Sequence, residues 1–346
     1  MLDKPGDIRP GEELPLATLQ KFLNERVPDV GTITRVQQFP SGFSNLTYGL
    51  STTRGEFVLR RPPFGANIKS AHDMGREFQV LSLLQPHYPK IPQPIVLCQT
   101  EDVMGAPFYI MSRLSGIILR AQHAKAGLPA ATFQKVSESL IDNLVGIHTI
   151  NIESSGLIGL GKPDGYVQRQ VDGWVTRYQK AATDSIDEMT QVANWFPKNI
   201  PVSQAACFLH NDYKYDNVVW DEQLITIQGV LDWEMATVGD PLMDVGAALA
   251  YWCEYTDAPI TRLFNLSWLP GNLNRREFID RYAVKSGRDV SHISFYYAFG
   301  LFKNAVIAQQ IYARWKAGHT RDPRFGQLIE AVKALARQAS AAIEKA

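Results

Sequence analysis

The 346-residue sequence predicts an α+β chain of two lobes: a small antiparallel β lobe with one helix, then a larger, mostly helical lobe with a strand insert. Three observations predict it. Short β-rich runs separated by turn residues fill residues 33–111. Beyond Gly116, apolar residues recur at helical spacing over long segments. Within those helices, residues 206–232 return to strand-like runs. The chain also exceeds the ~250–300 residues at which single cores stop growing, which fits two lobes.

The elements follow in order. Leu16 to Val27 places Leu16, Leu19, Phe22, Leu23 and Val27 on one helical face. Ile33–Pro40, Asn45–Thr52 and Glu56–Arg61, parted by Ser-Gly and Thr-Arg-Gly, read as a three-strand meander. Ser70–Leu84 returns to helical spacing, and Pro94–Gln99 and Pro107–Met111 form two further strands around the Asp102–Gly105 turn. Helices are expected over 130–150, 166–183, 185–199, 241–256, 273–286, 291–317 and 325–345. This divides the chain into an N-terminal extension and helix (1–29), a β lobe (30–113) and a helical lobe (114–346).

Composition narrows the function classes. Lys plus Arg and Asp plus Glu number 35 each, so no global field draws nucleic acid or an anionic membrane. The charged, Pro-rich start lacks a signal-peptide core, and the longest apolar run is too short to span a bilayer. Three cysteines without CxxC spacing argue against a disulfide framework or a zinc site and fit a cytoplasmic protein. Neither HExxH nor GxSxG occurs.

The stretch FLHNDYKYDNVVW, residues 208–220, concentrates ionisable and amide side chains between two apolar runs. Asp212 with Asn217 five residues on can aim a carboxylate at a substrate hydroxyl and an amide oxygen at a divalent cation. Lys214 can balance phosphate charge. A polar hairpin with side-chain turns is the plain alternative for this stretch alone. Asp232, ending the apolar run 224–231, then supplies a second hard oxygen of the kind Mg²⁺ prefers. Both motifs in order, joined by a strand pair, favour chemistry over turn-capping.

HNDYKYDN followed by LDWEMATVGDPLMDVG resembles the pattern HGDxxxxN … DWE … GDPxxD of the aminoglycoside phosphotransferase-like family of the protein-kinase superfold. The resemblance spans residues 15–320, and AHDMGREF and LRRPP are similar to the kinase-like domain found fused to acyl-CoA dehydrogenases. It implies a two-lobed protein-kinase-like fold and an ATP-dependent (or GTP-dependent) phosphotransferase using Mg²⁺ held by Asn217 and Asp232. Asp212, Lys214 and Asn217 would be catalytic. Ser41, Gly42, Ser44 and Asn45 would cover the phosphates, Arg60 would bind them, and Glu77 would fix Arg60. Met111 would wall the adenine, with the backbone of Ser112 to Leu114 bonding its edge.

Two positions depart from the family. Asn211 stands at the usual Gly, so a left-handed residue or another turn is expected there. Arg60 replaces the commoner Lys. GLIGLGK (156–162) imitates a Walker A front, but Pro163 stands where Ser or Thr must bind metal, so it is rejected. Acidic residues such as Glu254, Asp257 and Glu277 are scattered, while aromatics and Arg169, Arg177 and Lys303 are available. A small-molecule hydroxyl acceptor of acyl or acyl-CoA type is therefore expected before a polycation. The alternatives are a silent nucleotide-binding scaffold and a choline, homoserine or aminoglycoside-type kinase.

Overall fold

Short β-rich runs in the first 112 residues pair into one five-stranded antiparallel sheet rather than isolated hairpins. The computed structural model describes residues 5–40, 45–63, 73–320 and 322–345. Helix α1 (Leu16–Arg26) is followed by β1 (Ile33–Gln38), β2 (Leu46–Thr52), β3 (Gly55–Arg61), α2 (Met74–Leu84), β4 (Pro94–Cys98), β5 (Phe108–Ser112) and the short β6 (Ile117–Ile118). The first five strands form an antiparallel sheet in the order β1-β2-β3-β5-β4. Leu19 and Leu23 of α1 pack on Leu46, Tyr48, Leu50, Leu59, Phe108 and Ile110, which places the core on one sheet face. Asp73 caps α2 by accepting from the Arg76 N–H at 2.9 Å.

Next come α3 (Ala130–His148), α4 (Tyr166–Ala181) and α5 (Asp187–Trp195), then β7 (Cys207–Leu209), β8 (Val218–Trp220), β9 (Ile227–Val230) and β10 (Thr237–Gly239). The chain closes with α6 (Pro241–Tyr251), α7 (Arg275–Ser286), α8 (Ile293–Lys316) and α9 (Leu328–Ile343). β6, β8 and β9 form a three-stranded sheet, and β7 pairs with β10. Among the described residues no helix is long and apolar enough to cross a membrane.

Two compact units divide the chain. The first holds residues up to Ile118 together with Val218–Glu234, and the second holds Leu119–Asn217 and Met235 onward. In the second, α8 packs against α4, α6 and α9. Its crossing with α6 needs two glycines. A Cβ on Gly300 would stand 2.3 Å from the Gly246 carbonyl oxygen, and one on Gly246 would stand 2.2 Å from that of Tyr296. The Walker-like GLIGLGK forms a 3₁₀ turn, Leu157–Leu160, with Gly161 pressed against β10, where a Cβ would lie 2.7 Å from the Val238 nitrogen. Close packing explains that glycine without a phosphate.

Candidate active site

In the first unit, the antiparallel register sets Arg60 of β3 between Thr47 of β2 and Tyr109 of β5, so its side chain is buried. A buried guanidinium requires anions, and three carboxylates meet it. Glu77 of α2 accepts from Nη1, Asp232 Oδ1 accepts from both terminal nitrogens at 3.2 Å, and Glu234 Oε2 lies 3.6 Å away. Burial alone would pull the Arg60 pKa down, but Glu77, Asp232 and Glu234 hold it well above the usual arginine value.

Asp232 follows β9 with φ +67°, a left-handed conformation uncommon outside glycine. The next residue anchors that turn: Trp233 Nε1 donates to the Val230 carbonyl at 2.9 Å, and its ring meets Tyr88 edge-on. Asn45, expected to face phosphate, donates its Nδ2 to Glu234 Oε2 at 2.9 Å. Ser41, Gly42 and Ser44 lie outside the described residues. Met111 is buried in β5 opposite Val58 and Pro94. The Ser112 N–H donates to Gln93 and that of Arg113 to Glu56, while the Leu114 N–H has no partner among the described residues.

In the second unit, β7 delivers the chain to the loop His210–Asn217, and buried Asp244 on α6 clamps the loop's start. Asp244 accepts from the His210 N–H at 2.6 Å and the Asn211 N–H at 2.8 Å, and its Oδ2 stands 3.1 Å from His148 Nε2. His148 Nδ1 in turn meets the Tyr282 hydroxyl at 2.8 Å. Burial pushes the Asp244 carboxyl up, but His148, His210 and the loop N–H hold it below the usual carboxylate range.

Asn211 adopts φ +66°, the left-handed conformation expected where glycine is usual. Its contacts stabilise that conformation. Nδ2 donates to the Met235 carbonyl at 3.0 Å and the Tyr166 hydroxyl at 3.2 Å, and its carbonyl accepts from Lys303 Nζ at 3.0 Å. The Asp212 N–H then donates to His210 Nδ1 at 3.2 Å, so His210 braces the loop. The Asp212 carboxylate meets Lys214 Nζ at 2.9 Å and accepts from Asn217 Nδ2 at 2.9 Å. Asn217 Nδ2 also donates to the Asp212 carbonyl at 2.8 Å. The loop thus gathers Asp212, Lys214 and Asn217 at one place.

Burial alone would weaken the Lys214 charge, but Tyr251, Asp212 and Asp216 hold its pKa above the usual lysine range. The Tyr251 ring centroid lies 4.6 Å from Nζ. Tyr213 anchors the same loop, donating to the Leu140 carbonyl at 2.9 Å and accepting from Asn143.

Both proposed metal ligands offer hard oxygen in a fitting state. Asn217 turns its NH₂ to Asp212, so its Oδ1 has no donor among the described residues, and neither has Asp232 Oδ2. No group of three or more His, Cys, Asp or Glu suited to a metal occurs among the described residues. Each oxygen, taken by itself, is of the hard kind that Mg²⁺ takes, the ion drawing its remaining ligands from phosphate and water. Sequence reasoning assigned no role to Glu234, two residues past the expected metal ligand, counted Tyr166 only among the aromatics of the helical lobe, and missed His148, which no local signal marks.

The sequence model of the phosphotransferase enzyme family (APH) matches residues 35–278. Rat acyl-CoA dehydrogenase family member 11 is 32% identical over 321 residues, covering 90% of this chain and 41% of that protein. The chain thus spans less than half the length of that relative. The solved structure of a candidate aminoglycoside phosphotransferase from Ralstonia eutropha superposes with a TM-score of 0.83 at 27% identity, covering 96% of this chain and 99% of that one. A GDP complex of aminoglycoside 2'-phosphotransferase-IIIa shares the fold at a TM-score of 0.60 and 15% identity, over 94% and 99% of the two chains. With the motif residues on structured loops and the family model spanning most of its length, this chain belongs to the phosphotransferase enzyme family.

Proposed function

We propose that the protein transfers the γ-phosphoryl group of ATP or GTP to a hydroxyl of a small molecule. The observation that supports this most is the His210–Asn217 loop, where one carboxylate, Asp212, is oriented by an amide, an ammonium and a clamped backbone. A GDP complex in a fold neighbour supports a nucleotide as phosphoryl donor.

In this reading Asp212 accepts the hydroxyl proton as the new O–P bond forms and the bond from the γ-phosphorus to the nucleoside diphosphate breaks. Lys214 balances charge on the transferring group. Arg60, held by Glu77, would bind the donor phosphates, Ser41, Gly42, Ser44 and Asn45 would serve the same end, and the 111–114 segment would meet the base through the Leu114 N–H. Asn217 Oδ1 and Asp232 would hold Mg²⁺, which supplies charge neutralisation at the phosphates when bound. Positioning and charge stabilisation are nearly the whole of catalysis in such transfers. The acceptor is a hydroxylated acyl compound, as free acid or thioester, and the three buried free cysteines fit a reducing cytosol as the site of reaction.

The test is an acceptor screen with Mg-ATP and Mg-GTP over hydroxy acids, their thioesters, amino alcohols, sugars and aminoglycosides. Nucleoside diphosphate and a phosphate ester should appear in equal amounts with one hydroxylated class. Nucleotide binding without transfer to any class would contradict the proposal and leave a binding protein.

A further inference from the structure

Beside the His210–Asn217 loop, wholly within the second unit, lies a cavity of about 180 Å³. Met235, Met243 and Phe299 supply an apolar wall, and Gln170, Asn211 and Lys303 supply polar groups. Lys303, on the inner face of α8, is 8% exposed. Lysine is seldom buried without an anion, yet Lys303 has no carboxylate within ion-pair distance among the described residues. Its Nζ donates to the Asn211 carbonyl at 3.0 Å and stands 5.7 Å from the Trp174 ring centroid. An ammonium carries three donors, so capacity remains.

The neighbouring carboxylates are engaged elsewhere: Asp212 with Lys214 and Asn217, Asp244 with His148 and the loop N–H groups. Arg177, 4.8 Å from the Trp174 ring centroid, adds a second cation nearby. Burial lowers the pKa of Lys303, and an anion beside it would offset that penalty.

We infer that this cavity seats the carboxylate of a small hydroxylated acid, with Lys303 and Gln170 on its oxygens and its hydroxyl end on the Asn211 side, next in the chain to Asp212. The methionines and Phe299 would cover the carbon chain. With Lys303 the one cation on the lining and Arg177 outside it, the cavity suits a monoanion better than a phosphate dianion, which calls for several cations in contact. A polycation would meet Lys303 head-on. This rests on the proposed phosphotransfer only for the fate of the hydroxyl.

The test uses the full chain without nucleotide and saturation-transfer NMR with 3-hydroxybutyrate, its diol counterpart 1,3-butanediol, and choline. The acid should bind about tenfold or more tightly than the diol, a difference that Lys303→Met removes and Lys303→Arg largely restores. Equal affinity of acid and diol in the unsubstituted chain overturns the inference, even if Lys303→Met fails to fold. An unchanged preference in a folded Lys303→Met variant overturns it as well. Acid binding through Lys303 with no phosphate transfer from Mg-ATP would leave the inference standing and remove the proposed function. Transfer to hydroxyls with no preference for the carboxylate would do the reverse.

Discussion

Arg60 and Asn211, two positions that the sequence alone marked as unusual, are each held by their immediate neighbours. Arg60 holds Glu77, Asp232 and Glu234 together, a role in which a planar fork reaches more than one carboxylate. Replacing it with methionine strands buried Glu77, so Arg60→Met should lose about 3–5 kcal/mol in urea unfolding, and Arg60→Lys less. Equal stability of Arg60→Met and the parent would show that the cluster holds nothing. Asn211 combines a left-handed backbone with side-chain bonds to Met235 and Tyr166. Asn211→Gly keeps the backbone and loses the bonds, whereas Asn211→Ala loses both. The alanine variant should therefore unfold about 1–2 kcal/mol more easily than the glycine variant in the same assay.

Among the elements, α6 shapes the His210–Asn217 loop, because Asp244 joins β7's exit to α3 through His148. The Asp244 carboxyl is held below its ordinary value of 3.8, so its stabilisation is present above about pH 4 and lost as pH falls through the lower folded value. Asp244→Asn, which leaves one loop N–H or His148 unpaired, should cost about 3 kcal/mol at neutral pH. That variant should also flatten the acid limb of the stability profile, measured by thermal melts from pH 7 to 3. An acid limb as steep in the variant as in the parent would assign it to other carboxylates. At the α6–α8 crossing, Gly300→Ala places a methyl against the Gly246 carbonyl and should destabilise by about 1–3 kcal/mol, read from the urea midpoint.

At these first two scales the sequence was legible to different depths. Asp244 was legible as the last acid of the GDPxxD motif, whose order after the loop and the DWE segment is fixed in the sequence. His148 was not expected, since a histidine at the end of a long helix reads the same whether it faces solvent or a carboxylate. Lys303 was counted as a positive charge in the helical lobe. Its burial next to Asn211 depends on the packing of α8, which local sequence does not encode.

For the whole molecule, periodicity located α1 to α9 and β1 to β5 to within about five residues, because each buries a face with its own period, whereas the short β6 and β10 carried no such signal. The grouping of Val218–Glu234 with the first unit rests on pairing across a hundred residues, Ile117 with Trp220 and Ile118 with Val219. No local pattern announces such a pairing. Family membership was readable because its motif residues are fixed in spacing by the two loops that carry them. The finer chemistry of transfer is tested most directly at Asp212. With labelled γ-phosphate, Mg²⁺ and the acceptor class found in the screen, Asp212→Asn should slow transfer by about 10²–10⁴-fold while nucleotide affinity, measured by titration, stays close to the parent's. Near-parental transfer by a folded Asp212→Asn chain would contradict the account.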